Sequence, residues 1–233
     1  MKQINFTLAD ESFSDWSIPP YPAIENLPEW YKATPQFFDN KKYGFFSGRF
    51  SNKTLKKCTP LTEAIGMGYY IPLSSDIAVH DDNAELKITW GTRTQIVDEQ
   101  IEFQIGNYTP PDGYESRLFK FHNNYKIQTP KGYSTLFITP MMRTDLNFFC
   151  FPGVVDTDVY PLPINFPFIL KKDFTGIIKR GTPIIQAIPF KRDSWKPVLN
   201  KEYMKNFFQL SELRSSQMNN FYKKNYWFRK EWR

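Results

Sequence analysis

The sequence predicts a mainly β fold of many short strands, a barrel or sandwich with an extended aromatic arm before it and amphipathic helices after it. Three observations carry this. Between Gly68 and Phe190, apolar residues alternate at period two or stand in short apolar runs. Turn signals at Asp81-Asp82-Asn83, Pro110-Pro111-Asp112-Gly113 and Pro130-Lys131-Gly132 cut those runs apart. With 18 Pro against 11 Gly, the connections are turn-rich and extended.

The elements follow in order. A strand opens the chain at residues 4–8. Residues 1–58 form the arm, where Trp16, Pro19-Pro20-Tyr21-Pro22 and Pro28-Glu29-Trp30-Tyr31 mix rings with proline. Proline disfavours helix interiors and central strands, so the arm is expected to run extended with its rings packed on the body. A short helix is expected at Thr59-Pro60-Leu61-Thr62-Glu63-Ala64-Ile65, with Thr59 as its cap and Pro60 in its first turn. Residues 59–195 form the β core, with strands at 69–73, 77–79, 85–90, 100–105, 119–121, 133–138, 147–151 and 184–190. Residues 196–233 form a helical basic tail. There Tyr203, Phe207, Leu210, Leu213, Met218 and Phe221 recur at mostly three- and four-residue spacing, with charges between. The three parts are read as one domain.

Composition supports a real core. The chain has 233 residues, 41% of them hydrophobic, with 22 Phe, 13 Tyr and 6 Trp, which excludes disorder over most of its length. Two cysteines, Cys58 and Cys150, cannot build a secreted disulfide scaffold, and each is expected to be a small buried hydrophobe. Residues 1–10 lack the apolar segment of a signal peptide. No run reaches the ~18–20 apolar residues of a membrane span. The expected compartment is the cytoplasm, with no membrane partner. The tail holds nine Lys or Arg against three acids, which accounts for the whole net charge of +6.

The motif with most content is Gly153-Val154-Val155-Asp156-Thr157-Asp158, followed by Gly181-Thr182-Pro183-Ile184-Ile185-Gln186. Taken with Pro130-Lys131-Gly132-Tyr133, Pro140 and Phe174, these resemble the successive signposts of the dUTPase and dCTP deaminase family. The resemblance covers residues 130–190. It implies a β-clip fold in which the two glycine-led apolar strands are neighbours in a closed barrel. It further implies that Asp156, with Asp158 beside it, orients water for attack on a nucleotide phosphate with Mg²⁺. On the same resemblance Gln186 matches a substrate-side glutamine, Arg143 stands two residues from the family's phosphate arginine, and Tyr160 stands one residue from the tyrosine under deoxyribose. The departures weigh against that chemistry. A one-residue slip in a strand turns a ring to the other face, Pro183 replaces an arginine, and the flexible closing arm is missing. Triphosphate binding needs several anchored cations, and Arg143 and Arg180 are the remaining candidates. The words Pro28-Glu29-Trp30-Tyr31, Thr54-Leu55-Lys56-Lys57-Cys58-Thr59-Pro60, Thr129 to Ser134 and Gly153 to Asp158 are also similar, over nearly the whole chain, to an uncharacterised family often encoded by T4-like phages of marine bacteria. That second resemblance implies a phage origin, hence host cytoplasm, and no role.

Two other constellations stand beside this. His80, Asp82 and His122 can be read as the metal ligands of an Fe(II)- and 2-oxoglutarate-dependent oxygenase, with Lys126 or Arg143 holding the co-substrate. The bland alternative is a solvated turn and an unrelated histidine. The tail from Phe221 to Arg233 alternates aromatic and basic residues, a pattern that can stack bases and meet phosphates of single-stranded nucleic acid. Docking of that tail on the domain or on another subunit is the simpler expectation. P-loop, dinucleotide-fold, serine-triad and zinc-cluster signatures are absent. The reading favoured by the sequence is a non-catalytic β-barrel protein with a binding or assembly role, no cofactor, and a protein partner or self-association. A nucleotide-processing enzyme and an iron oxygenase are its alternatives.

Overall fold

The computed structural model describes residues 2–38, 45–46, 50–51, 53–82, 85–216 and 221–232. Asn83, Met218 and Arg233, which enter the sequence reading of a turn and of the tail, lie outside the described residues, as does the Asp82 side chain. The fold is mainly β, with 31% strand against 19% helix.

In chain order the first strands are β1 (Asn5–Leu8), β2 (Tyr21–Pro22), β3 (Phe45–Phe46), β4 (Phe50–Ser51), β5 (Tyr69–Pro72) and β6 (Ile77–Asp82). Next come β7 (Glu85–Trp90), β8 (Val97–Glu99), β9 (Phe119–Phe121), β10 (Tyr125–Gln128) and β11 (Tyr133–Ile138). The last are β12 (Phe148–Cys150), β13 (Gly153–Val155), β14 (Phe166–Leu170), β15 (Gly176–Ile178) and β16 (Pro183–Lys191). The helices are α1 (Glu29–Ala33), α2 (Thr59–Gly66), α3 (Phe207–Ser216) and α4 (Phe221–Asn225).

Contacts divide the chain into two compact units, residues 1–23 with 68–192, and residues 24–67 with 193–233. The sequence drew its boundaries at 58/59 and 195/196.

The first unit holds almost all the sheet. A five-stranded sheet runs β13-β11-β16-β5-β2, a four-stranded one β12-β14-β9-β8, a three-stranded one β15-β6-β7, and β1 pairs with β10. Every pairing is antiparallel. Among the described residues the strands are traced as separate sheets, not as one closed ring. The apolar faces meet in a core whose centre is aromatic: Phe121 and Phe168 stack with centroids 3.7 Å apart, and both are fully buried. Phe119 and Phe148 pack on this pair, and Phe137 joins the same core against Phe166. Each ring of this size buries a large apolar area and is a substantial part of the unit's apolar stabilisation. Trp16 and Phe6 of the arm pack against this core, and β1 adds to β10, so residues 1–23 belong to the body.

Several expectations are corrected. The two glycine-led strands β13 and β16 share a sheet, but β11 lies between them and pairs with both. Residues 100–105 do not make a strand. Their alternation coils into a 3-10 turn over Glu102–Ile105, closed by Gln104 N–H donating to the Ile101 carbonyl at 2.9 Å. Helix α2 begins at Thr59, which makes Cys58 the flanking residue without a side-chain cap. Cys58 is exposed on that turn, whereas Cys150 is buried in the core.

The second unit carries the helices. The Tyr31 hydroxyl lies 2.6 Å from the Thr62 hydroxyl, tying α1 to α2, and Ile65 is fully buried. Among the described residues the tail is helical in α3 and α4; in α3, Phe207, Phe208 and Leu213 stay exposed and Leu210 is half-buried. Of the pattern residues that are described, Tyr203, Phe207 and Leu213 are exposed, whereas Leu210 and Phe221 are half-buried. No helix among the described residues is long and apolar enough to cross a membrane.

Candidate functional site

The residues singled out at 153–158 sit where a turn, a strand end and a loop converge. The turn Pro130-Lys131-Gly132 opens β11, closed by Tyr133 N–H donating to the Pro130 carbonyl at 3.2 Å. Gly132 holds φ +85°, a left-handed conformation that favours glycine. The register of β11 with β16 sets Tyr133 opposite Lys191. One step further, Arg192 faces Gly132, and the Arg192 N–H donates to the Gly132 carbonyl at 2.9 Å. Asp156 and Asp158 follow β13 on the other side of β11.

Arg192 fills the space between them. Its guanidinium donates to Asp158 at 2.7 Å and 2.5 Å, and Nη1 lies 3.2 Å from Asp156 Oδ1. Ser134 Oγ donates to the same Asp156 oxygen at 2.6 Å, and the Gly132 N–H donates to Asp158 Oδ2 at 2.8 Å. The Asp158 side chain is 2% exposed, whereas that of Asp156 is 59% exposed. The Arg192 hydrogen bonds, then the Gly132 amide, hold the Asp158 carboxyl down at about 2. The same pairing raises the Arg192 guanidinium above its ordinary value. Beneath the cluster, Thr157 is buried with its hydroxyl 2.7 Å from that of Thr129 and 2.8 Å from that of Thr135. This lattice of short bonds fixes the loop after β13 to the end of β16. Its chemistry is that of a clamp.

Of the other sequence candidates, only Tyr160 adjoins this cluster, through its backbone. Gln186 is fully buried, its carbonyl accepting from the Met141 N–H at 2.9 Å. Arg143 forks onto Asp145 through Nε at 2.9 Å and Nη2 at 2.7 Å. That contact, ahead of the opposing effect of burial, lowers the Asp145 carboxyl. Arg180 is spent on backbone: Nε donates to the Ser74 carbonyl at 3.0 Å and Nη2 to that of Trp16 at 2.9 Å. Neither arginine joins Asp156 and Asp158. Tyr160 is 40% exposed beyond the turn, its N–H donating to the Asp156 carbonyl at 2.9 Å.

His80 lies on β6, its Nε2 3.1 Å from the Thr89 hydroxyl on β7. His122 follows β9 in a different sheet, its Nε2 2.8 Å from Asp98 Oδ2. Each imidazole thus has a separate partner. Among the described residues, no three His, Cys, Asp or Glu side chains gather as a metal site.

Sequence reasoning missed Arg192 and Ser134. The usable signal was the basic pair Lys191-Arg192 ending the apolar run 184–190, which marks a cation at a strand end and no more. No protein-family model matches the chain, and no curated protein matches it.

Proposed function

We propose that the protein is a non-catalytic binding or assembly module. In this reading its β-rich unit is a barrel of the β-clip, jelly-roll-like kind, and its partner is a protein, with a second copy of the chain the first candidate. The observation that carries the reading is the uncovered apolar run of the second unit. Trp195, Leu199 and Tyr203 are 90, 94 and 95% exposed, and Val198, Phe207 and Phe208 are exposed close by in the sequence. Large apolar surfaces are uncommon on soluble monomers and mark interaction sites.

The carboxylate cluster supports the non-catalytic half. Triphosphate binding needs several anchored cations, and Arg143 and Arg180 are held by Asp145 and by the Ser74 and Trp16 carbonyls, not beside Asp156 and Asp158. The barrel reading draws on the sheet shared by β13, β11 and β16 and on the resemblance over residues 130–190. A phage origin rests on the second resemblance alone.

Sedimentation velocity across a wide concentration range tests the proposal. The wild-type chain is expected to associate, and a Trp195→Ser, Leu199→Ser, Tyr203→Ser variant to sediment as a monomer. A wild-type chain monomeric throughout would overturn self-association as the role. Incubation with a deoxynucleoside triphosphate panel and Mg²⁺ tests the other half. Turnover abolished by Asp156→Asn would overturn the non-catalytic reading.

A further inference from the structure

Between β16 and α3 the chain forms neither helix nor strand over residues 192–206. Its sequence nevertheless continues the spacing of α3 backwards. Leu199, Tyr203, Phe207 and Leu210 stand at i, i+4, i+8 and i+11, which on a helix confines them to an arc of about 80°. Pro197 stands where such a helix would begin, at a first position that suits proline. The break between the two stretches is local. Asn206 holds φ +63°, a left-handed conformation that Asn tolerates better than most residues, and its carbonyl already accepts from the Leu210 N–H at 3.0 Å. With Asn206 in ordinary helical geometry, the same sequence can carry α3 back to Pro197, as one helix about 30 Å long.

A helix with nothing on its apolar face is marginal in water, because packing of that face supplies most of its stability. In the single chain Leu199 is 94%, Tyr203 95% and Phe207 54% exposed, and Trp195, four residues before Leu199, is 90% exposed. The bare face accounts for the missing helix, and a cover would induce it.

Size and charge point to a second copy of the segment as that cover. Large rings bury about 150–250 Å² each. Trp195, Tyr203 and Phe207 with two leucines therefore approach the roughly 800 Å² per partner of a standard interface. From residue 193 to residue 216, four Lys or Arg stand against three Asp or Glu, so the near balance leaves little net charge to hold two copies apart. The stripe also matches itself. Antiparallel about a two-fold axis, Leu199 comes level with Leu210 of the other copy and Tyr203 with its Phe207, as a self-complementary contact requires.

We propose, resting on the self-association put forward above, that two copies pair through this stripe and that residues 197–206 fold onto α3 as one continuous helix in doing so.

Hydrogen exchange of the full chain, read beside sedimentation velocity at the same concentrations, tests it. Amides of residues 201–206 are expected to exchange freely in the dilute chain and to become protected as it associates. Glu202→Pro keeps every apolar residue and is expected to weaken association at least about 100-fold, since proline is strongly unfavourable inside a helix. Glu202→Ala removes the same charge and is expected to associate like wild type. Asn206→Ala favours the helix over the left-handed turn and is expected to tighten association about fivefold. Glu202 is exposed and outside helix and strand, and circular dichroism confirms that each variant is folded. Wild-type association without protection at 201–206, or association undiminished in Glu202→Pro, would overturn the shared helix and leave self-association standing. A wild-type chain monomeric at every concentration would overturn both.

Discussion

Arg192 and Asp158 meet as a fork on a fork, with Nη1 2.7 Å from Oδ1 and Nη2 2.5 Å from Oδ2. Charge-assisted pairs of this geometry are among the stronger and more directional polar contacts in proteins. Their position explains their use. One group ends β16 and the other stands in the loop after β13, so the pair reaches past β11 and holds both of its neighbours. Gly132 completes the closure by donating its N–H to Asp158 and accepting from the Arg192 N–H.

Acid should open this clamp in a defined window. The Asp158 carboxyl sits at about 2 in the folded chain against an ordinary 3.8, chiefly through Arg192. The unfolded chain therefore binds the proton first as pH falls. The stabilisation is complete well above 3.8 and is lost as pH drops through about 2. Thermal melts across that range should show the wild-type Tm falling more steeply than that of Asp158→Asn, which starts lower at neutral pH. Parallel curves for the two proteins would refute the assignment.

Much of this was legible, and the gaps have physical causes. Alternation bounded by turn signals located the strands at 69–73, 77–79, 85–90, 119–121, 133–138 and 184–190, because a half-buried strand must alternate. Strand β14 was hidden by Pro167, which reads as a strand breaker. In fact Pro167 pairs opposite Lys120, and its carbonyl still accepts from the Phe151 N–H at 2.9 Å. Residues 100–105 misled in the other direction, since a period-two pattern six residues long does not oblige the chain to find a partner strand. At the site, Asp156 and Asp158 stood out because they end an apolar run whose segment resembles a family motif. Arg192 did not, because its meeting with them depends on the register of β11 with β16, a long-range fact that the local sequence does not hold.

The two thiols should differ sharply in reactivity. Cys58 is exposed, whereas Cys150 is buried with its Sγ–H donating to the Ile184 carbonyl at 3.2 Å. Burial pushes the Cys150 thiol well above its usual value, and the thiolate is the reactive form. A disulfide-exchange reagent should titrate one thiol promptly in the native protein and the second only with denaturant. Cys58→Ser should remove the prompt phase. Rapid labelling of two thiols in the folded chain would contradict the buried position.

The aromatic centre of the first unit should dominate its stability. Phe168 is fully buried, stacked on Phe121 and edge-on to Phe148. Phe168→Ala removes a ring from a site hemmed in by other rings, where collapse is limited, at an expected cost of about 3–5 kcal/mol. The exposed Phe208→Ala should change stability by less than about 0.5 kcal/mol. Urea denaturation of both variants makes the comparison. Similar losses in the two would mean that the stacked pair is not the packing centre.

Gly68 should tolerate no side chain. It stands just before β5 at φ +70°, with its carbonyl accepting from the Ala23 N–H at 3.0 Å. A Cβ built there would lie 2.2 Å from the Ala187 carbonyl oxygen of β16. That neighbour is backbone within the central sheet and cannot swing aside as a side-chain tip would. Gly68→Ala therefore combines a left-handed backbone with a clash, and should cost more than the ~1 kcal/mol upper end of a compatible glycine replacement. Gly91 has open space around its Cβ position and no positive φ, so Gly91→Ala is the control and should leave the denaturation midpoint within error or raise it slightly. If Gly68→Ala proved as stable as Gly91→Ala, the close approach of the β5 entry to β16 would be wrong, and with it the order of the five-stranded sheet.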